Sequence, residues 1–131
     1  MNRRFALLSL AAVVFANPTP PALAVTNIPF FAKVDFEAAQ NAGKSILLHI
    51  AAPWCETCQA QRVVLDKLEK DPTFNDYTII TIDFDTQKDV MRGFKANSRS
   101  TLIAFKGKTE VGRLVANTKM AAIKSLMTKG L

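Results

Sequence analysis

Ser45-Ile46-Leu47-Leu48-His49-Ile50-Ala51 is an almost unbroken apolar run of strand length. A strand with one wet face alternates polar and apolar residues. This one has no wet face, so it belongs inside a sheet covered on both sides. The rest of the chain supplies the cover. Asp35 is predicted to cap a first helix reaching Ala42, which Gly43 ends. Pro53-Trp54-Cys55 breaks the apolar strand. The segment from there to Lys70 places Ala60, Val63, Val64 and Leu68 at helical spacing, and Asp71-Pro72 stops it. Tyr77 to Ile82 reads as another strand, and Asp85 or Thr86 as the cap of a short helix to Phe94 with Val90, Met91 and Phe94 inward. Thr101–Phe105, the turn Lys106-Gly107-Lys108-Thr109 and Glu110–Val115 predict a hairpin. Asn117 or Thr118 then caps a last helix with Met120, Ile123 and Met127 on its apolar side. Ile28-Pro29-Phe30-Phe31 is confined by its proline to an edge or a lead-in. Strands alternating with helices, then a hairpin and a helix, predict an α/β fold: a central mixed β-sheet flanked by helices on both faces, with a terminal β-hairpin and helix.

The first 24 residues are expected to lie outside that domain. Met1-Asn2-Arg3-Arg4 carries positive charge, and Phe5 to Ala16 is apolar apart from Ser9. Asn17-Pro18-Thr19-Pro20-Pro21 breaks any helix, and Ala22-Leu23-Ala24 offers small residues at an A-x-A site. That order is the pattern of a secretory signal peptide cleaved after Ala24, leaving residues 25–131 as the domain. The apolar stretch falls short of the ~20 residues that span a bilayer. An uncleaved N-terminal membrane anchor is the alternative.

The formal charge of +6 comes from 17 basic and 11 acidic residues. The charges alternate in sign, as in Arg62, Asp66, Lys67, Glu69, Lys70 and Asp71, and no run of like charge develops. A nucleic-acid footprint is therefore not expected. Apolar residues make up 49% of the chain, too many for a disordered tail.

Both cysteines sit in Trp54-Cys55-Glu56-Thr57-Cys58, between the apolar strand and a helix. The amides and dipole of a helix N-terminus favour an anion, so Cys55 is the expected attacking thiolate. Cys58, one turn further in, is the expected resolving thiol. A zinc site would need a second pair of ligands, and His49 is the sole histidine. A purely structural disulfide closing so short a loop would constrain little chain. No cofactor or bound metal is expected.

The stretch Ala51-Ala52-Pro53-Trp54-Cys55-Glu56-Thr57-Cys58-Gln59 after an apolar strand resembles the active site of the thioredoxin superfamily. Ser100-Thr101-Leu102-Ile103-Ala104-Phe105-Lys106-Gly107-Lys108, with Glu110-Val111-Gly112-Arg113, resembles that family's hairpin. The resemblance covers nearly all of residues 28–129 and implies a thioredoxin-like fold. It also implies a catalytic Cys55/Cys58 pair and a substrate surface formed by Trp54, Arg99, Ser100 and Thr101. Four positions depart from the family pattern. Glu56-Thr57 replaces the usual Gly-Pro. Ser100 stands where the family has a cis-proline, and the Arg99–Ser100 bond is expected to be trans, because a non-proline cis bond costs ~3 kcal/mol. His49 stands where the family has a buried acid, and Thr81 where it has the accompanying lysine. His49 has two readings: a buried neutral imidazole held by a partner, or the proton acceptor for Cys58.

These readings make the chain an exported, periplasmic thiol–disulfide oxidoreductase serving redox homeostasis. Glu56 beside Cys55 opposes the thiolate, which places the pair nearer ~−270 mV than ~−120 mV and makes it a reductase of protein disulfides. Its expected partners are protein disulfide substrates and a membrane or periplasmic dithiol donor, and it is expected to be a monomer. The alternative is a protein handling Cu(I) or another soft metal through the two thiolates, with Ser100 leaving room where a proline would not. A binding domain that has kept the fold without the chemistry is a third reading.

Overall fold

The computed structural model describes residues 16–18 and 24–131, so the expected leader falls almost wholly outside the described residues. Five strands form one sheet in the order β1-β3-β2-β4-β5, with β1 Thr26–Ile28, β2 Ser45–Ala51, β3 Tyr77–Asp83, β4 Thr101–Lys106 and β5 Thr109–Val115. β2 runs parallel to β3 and antiparallel to β4, and β1 runs parallel to β3, so the sheet is mixed as expected. The helices are α1 Lys33–Asn41, α2 Glu56–Leu68, α3 Lys88–Gly93 and α4 Met120–Lys129.

β2 shows why its sequence is apolar throughout. Ile46, Leu48 and Ile50 point into a cluster with Phe31, Phe36, Ile80, Ile82, Met91, Ile103 and Phe105, on the side of α1 and α3. Leu47 points the other way, into Leu65, Leu68, Phe74, Ile79, Leu102, Ile123 and Met127, on the side of α2 and α4. His49 shares that second face by strand alternation.

β1 does occupy the sheet edge, as expected, and stops before Pro29. The structure corrects several local expectations. Ala32, not Asp35, is the α1 N-cap; Asp35 sits in the first turn, where its charge suits the helix dipole. Asp85 and Thr86 do not cap α3, whose N-cap is Gln87: Asp85 accepts the Trp54 indole N–H and Thr86 donates to Asp83. α4 starts after Lys119, because the Asn117 carboxamide oxygen accepts the Lys119 N–H two residues ahead of the helix. Its buried side is Ile123, Leu126 and Met127, while Met120 is partly exposed. A 3-10 turn, Pro72–Phe74, follows α2 and buries Phe74.

The inward face of α2 also differs from the expected one. Ala60 and Val63 are exposed, and Cys58, Gln61, Leu65 and Leu68 are buried. The stripe at i, i+3, i+7, i+10 includes a polar residue, which hides it from an apolar template. Leu65 anchors this helix in the core and is fully buried. Leu65→Ala is expected to lower stability by about 3 kcal/mol, read from the urea midpoint at unchanged slope.

Candidate active site

Strand β2 delivers the chain to Ala52, and Pro53 and Trp54 turn it so that Cys55 becomes the N-cap of α2. The Cys55 sulfur accepts the Cys58 N–H at 3.2 Å, a hydrogen bond that a thiolate strengthens. Cys55 and Cys58 form a disulfide, and each is 2% exposed.

Opposite the disulfide lies Ser100, just before β4. No peptide bond among the described residues is cis, so the Arg99–Ser100 bond is trans, as expected. Ser100 adopts φ 60°, the left-handed region that costs a side-chain-bearing residue about 1 kcal/mol or more. Its backbone is held from three sides. Its N–H donates to Ile50 O at 2.7 Å, and its carbonyl accepts from Ala116 N–H at 2.9 Å and from Gln61 Nε2 at 2.9 Å. The Ser100 Oγ thereby reaches 3.2 Å from Cys55 Sγ and 3.1 Å from Cys58 Sγ.

Gln61 links this loop to His49. Its Nε2 donates to two carbonyls, Ser100 O and Asn117 O at 3.0 Å, which accept only. That fixes the amide orientation and leaves Oε1 facing His49 Nε2 at 3.0 Å. The imidazole must therefore carry its proton on Nε2, and its Nδ1 keeps a lone pair. Burial pushes His49 down from 6.5 to about 4; the Gln61 hydrogen bond opposes the shift and the nearby positive charge of Arg62 adds to it. The ring is neutral at pH 7. His49 and Cys58 line one cavity of about 490 Å³ beside α2, together with Ala51, Ala52, Arg62 and Thr81. Thr81, the fourth departure from the family pattern, is the β3 partner of His49, the third.

The expected substrate residues divide. Trp54 is 55% exposed, donates its indole N–H to Asp85 Oδ2 at 2.9 Å and stacks edge-on to Phe84. Arg99 is exposed with its guanidinium 4.9 Å from the Trp54 ring centroid, and it lines a groove of about 260 Å³ with Thr57, Phe84, Ser98, Ser100 and Ala116. Thr101 is buried, with its hydroxyl committed to Ser98 O at 2.7 Å. Among the described residues no three His, Cys, Asp or Glu side chains gather to hold a metal ion. Gln61 was not anticipated. Its position three residues after Cys58, one helical turn along the same face, was the available signal.

A strand–disulfide–helix junction closed by a loop before a β-hairpin defines a protein of dithiol exchange. The thioredoxin family profile matches residues 27–129, and the chain belongs to that family. It is 31% identical over 99 residues to a bifunctional thioredoxin reductase/thioredoxin of Mycobacterium leprae, covering 76% of this chain but 20% of that one. It is 32% identical over 83 residues to the thioredoxin of Mycobacterium tuberculosis, covering 63% and 71% of the two chains. The crystal structure of Trxlp from Edwardsiella tarda superposes with TM-score 0.73 at 29% identity, covering 76% of this chain and 97% of that one. Family and site together support thiol–disulfide oxidoreductase activity, with protein disulfides as the general kind of partner.

The unfolded chain takes up the His49 proton near pH 6.5, the folded one near 4, so the unfolded state binds more protons between those values. Stability is expected to fall as pH drops through that window, by up to about 3 kcal/mol from this group. Urea titrations from pH 7 to pH 4 on the oxidised protein check it: H49Q, whose amide can still donate to Gln61, loses that share of the pH dependence.

Proposed function

We propose that this protein is an exported, periplasmic thioredoxin that reduces protein disulfides. The observation that carries the reading is the placement of Cys55 as the N-cap of α2 with the Cys58 N–H on its sulfur. In the reduced protein the Cys55 thiolate attacks a substrate disulfide, forming a mixed disulfide and releasing one substrate thiol. Cys58 then loses its proton and attacks Cys55 Sγ, which releases the second substrate thiol and leaves the Cys55–Cys58 disulfide. Two electrons pass to the substrate.

His49 is the proton acceptor for Cys58. The lone pair on its Nδ1 and the cavity it shares with Cys58 support this role. Glu56, exposed beside Cys55, supports the reducing direction. A reductase in an oxidising compartment needs recharging. The M. leprae relative joins a thioredoxin to a thioredoxin reductase in one chain. By analogy, this domain draws electrons from a membrane or periplasmic dithiol donor. The sequence pattern of residues 1–24 supports export.

Equilibration of residues 25–131 against glutathione and dithiothreitol is expected to give a potential below about −220 mV, and a value near −120 mV would make the protein an oxidant instead. In the same assays H49Q is expected to keep the potential while slowing breakdown of the mixed disulfide about 10²-fold. Expression of the full chain in a Gram-negative host, followed by N-terminal sequencing of the osmotic-shock fraction, is expected to read from Val25. An intact N-terminus in the membrane fraction would mean an anchor.

A further inference from the structure

Ser100 is held in a conformation its side chain does not favour, and the groups holding it are numerous. Both lone pairs of its carbonyl are taken, by Ala116 N–H and Gln61 Nε2, and its N–H is bonded to Ile50 O. Ala116, the partner across this loop, is itself left-handed at φ 53°. Strain maintained by this many surrounding contacts marks a constrained feature of a site. What the constraint achieves is the position of one hydroxyl, nearly equidistant from the two reacting sulfurs and 2% exposed, so that water hardly competes for it.

Proline at this place would offer no donor at all. A disulfide sulfur is a weak acceptor and a thiolate is a strong one, so a hydroxyl here interacts most with the charged state. We propose that Ser100 is a catalytic residue whose hydroxyl donates to the thiolate at each stage of the exchange. In the reduced protein it donates to the Cys55 thiolate alongside the Cys58 N–H. Once Cys55 has bonded to the substrate sulfur and is neutral, the hydroxyl rotates to Cys58. There it stabilises the thiolate left when the Cys58 proton departs. Cys58 attacks Cys55 Sγ, the bond between Cys55 and the substrate breaks, and its electron pair leaves with the substrate sulfur, which takes a proton from water. Ser100 keeps its proton throughout. The hydroxyl acts on charge alone, so it serves exchange in either direction. Gln61 is its positioning residue, through the Ser100 carbonyl.

The proposal rests on the dithiol chemistry but not on the reducing direction, and the test separates the two. Ser100→Ala and Ser100→Gly both remove the hydroxyl, while their backbone effects differ: alanine keeps the left-handed cost that serine bears and glycine relieves it. Reduced protein is alkylated with iodoacetamide across pH, and Cys55 modification is followed by mass spectrometry. In both variants the pH midpoint is expected to rise by about one unit, because a hydrogen bond to a charged group is worth that much or more. Equilibrium with glutathione is expected to move about tenfold towards the protein disulfide, about 30 mV. An unchanged midpoint in the glycine variant, which keeps the backbone relaxed, would overturn the proposal. So would a shift confined to the glycine variant, which would trace the effect to the backbone. A wild-type potential near −120 mV would overturn the reductase reading and leave the midpoint comparison intact.

Discussion

The position of β2 between β3 and β4 is the constraint on which everything else depends. Its seven residues pair with β3 on one side, Ser45 to Ile50 pair with β4 on the other, and both of its faces are covered. Ile46, Leu47, Leu48 and Ile50 are all fully buried. Burial of one such side chain contributes about 1.5–3 kcal/mol, so a one-residue slip of this strand would lose more than any surface interaction could recover. The strand end is therefore a fixed point. Cys55 begins its helix four residues beyond that end, and Ser100 is bonded directly to the strand through Ile50 O. The two halves of the site, distant in sequence, are registered against the same strand.

The site then places polar groups where a core would ordinarily exclude them. His49, Gln61, Ser100 and Thr101 are all buried, and among the described residues no buried side-chain nitrogen or oxygen lacks a partner. An unpaired buried amide or hydroxyl costs about 1–3 kcal/mol, so the arrangement is tolerable only as a complete set. Gln61 is the member that completes it. Removing its side chain would strip a donor from Ser100 O and Asn117 O and an acceptor from His49 together. Charge is kept out of the set, since desolvation holds His49 neutral far below physiological pH.

The layers, the strand order of the hairpin and the dithiol at a helix start were legible in the sequence because each rests on a local pattern. The run 45–51 is apolar almost without a break, and Trp54-Cys55-Glu56-Thr57-Cys58 has a break before it and a helix after it. The helix starts were less legible. Asp35, Asp85, Thr86, Asn117 and Thr118 are all good capping types, but Asp85 answers to Trp54 and Asn117 acts two residues early. The face of α2 was misread for a different reason. Gln61 is buried because of three groups from three other segments, and no pattern along the helix records them. Ser100 stood out as a departure, but its left-handed backbone and its distance to both sulfurs are tertiary facts.

Two opposing influences on the redox pair can be ranked by where they act. Glu56 is exposed, and a charge in water near another at 4 Å interacts by about 1 kcal/mol, less once salt screens it. The Cys58 N–H and the Ser100 hydroxyl act on the sulfurs inside the fold, where hydrogen bonds to a charged group contribute about 1.5–3 kcal/mol each. The exposed carboxylate therefore shifts the pair towards the reducing side only from the level that the buried donors set. Those donors ease formation of the Cys55 thiolate, and with it the speed of attack, while Glu56 trims the stability they give to the reduced state. A chain with a proline at position 100 would retain the helix-end donor and lose the hydroxyl, leaving a more reducing but less ionised dithiol. Serine at this one position thus trades reducing power for a thiolate available at lower pH, and the loop around it is built to keep that hydroxyl in place.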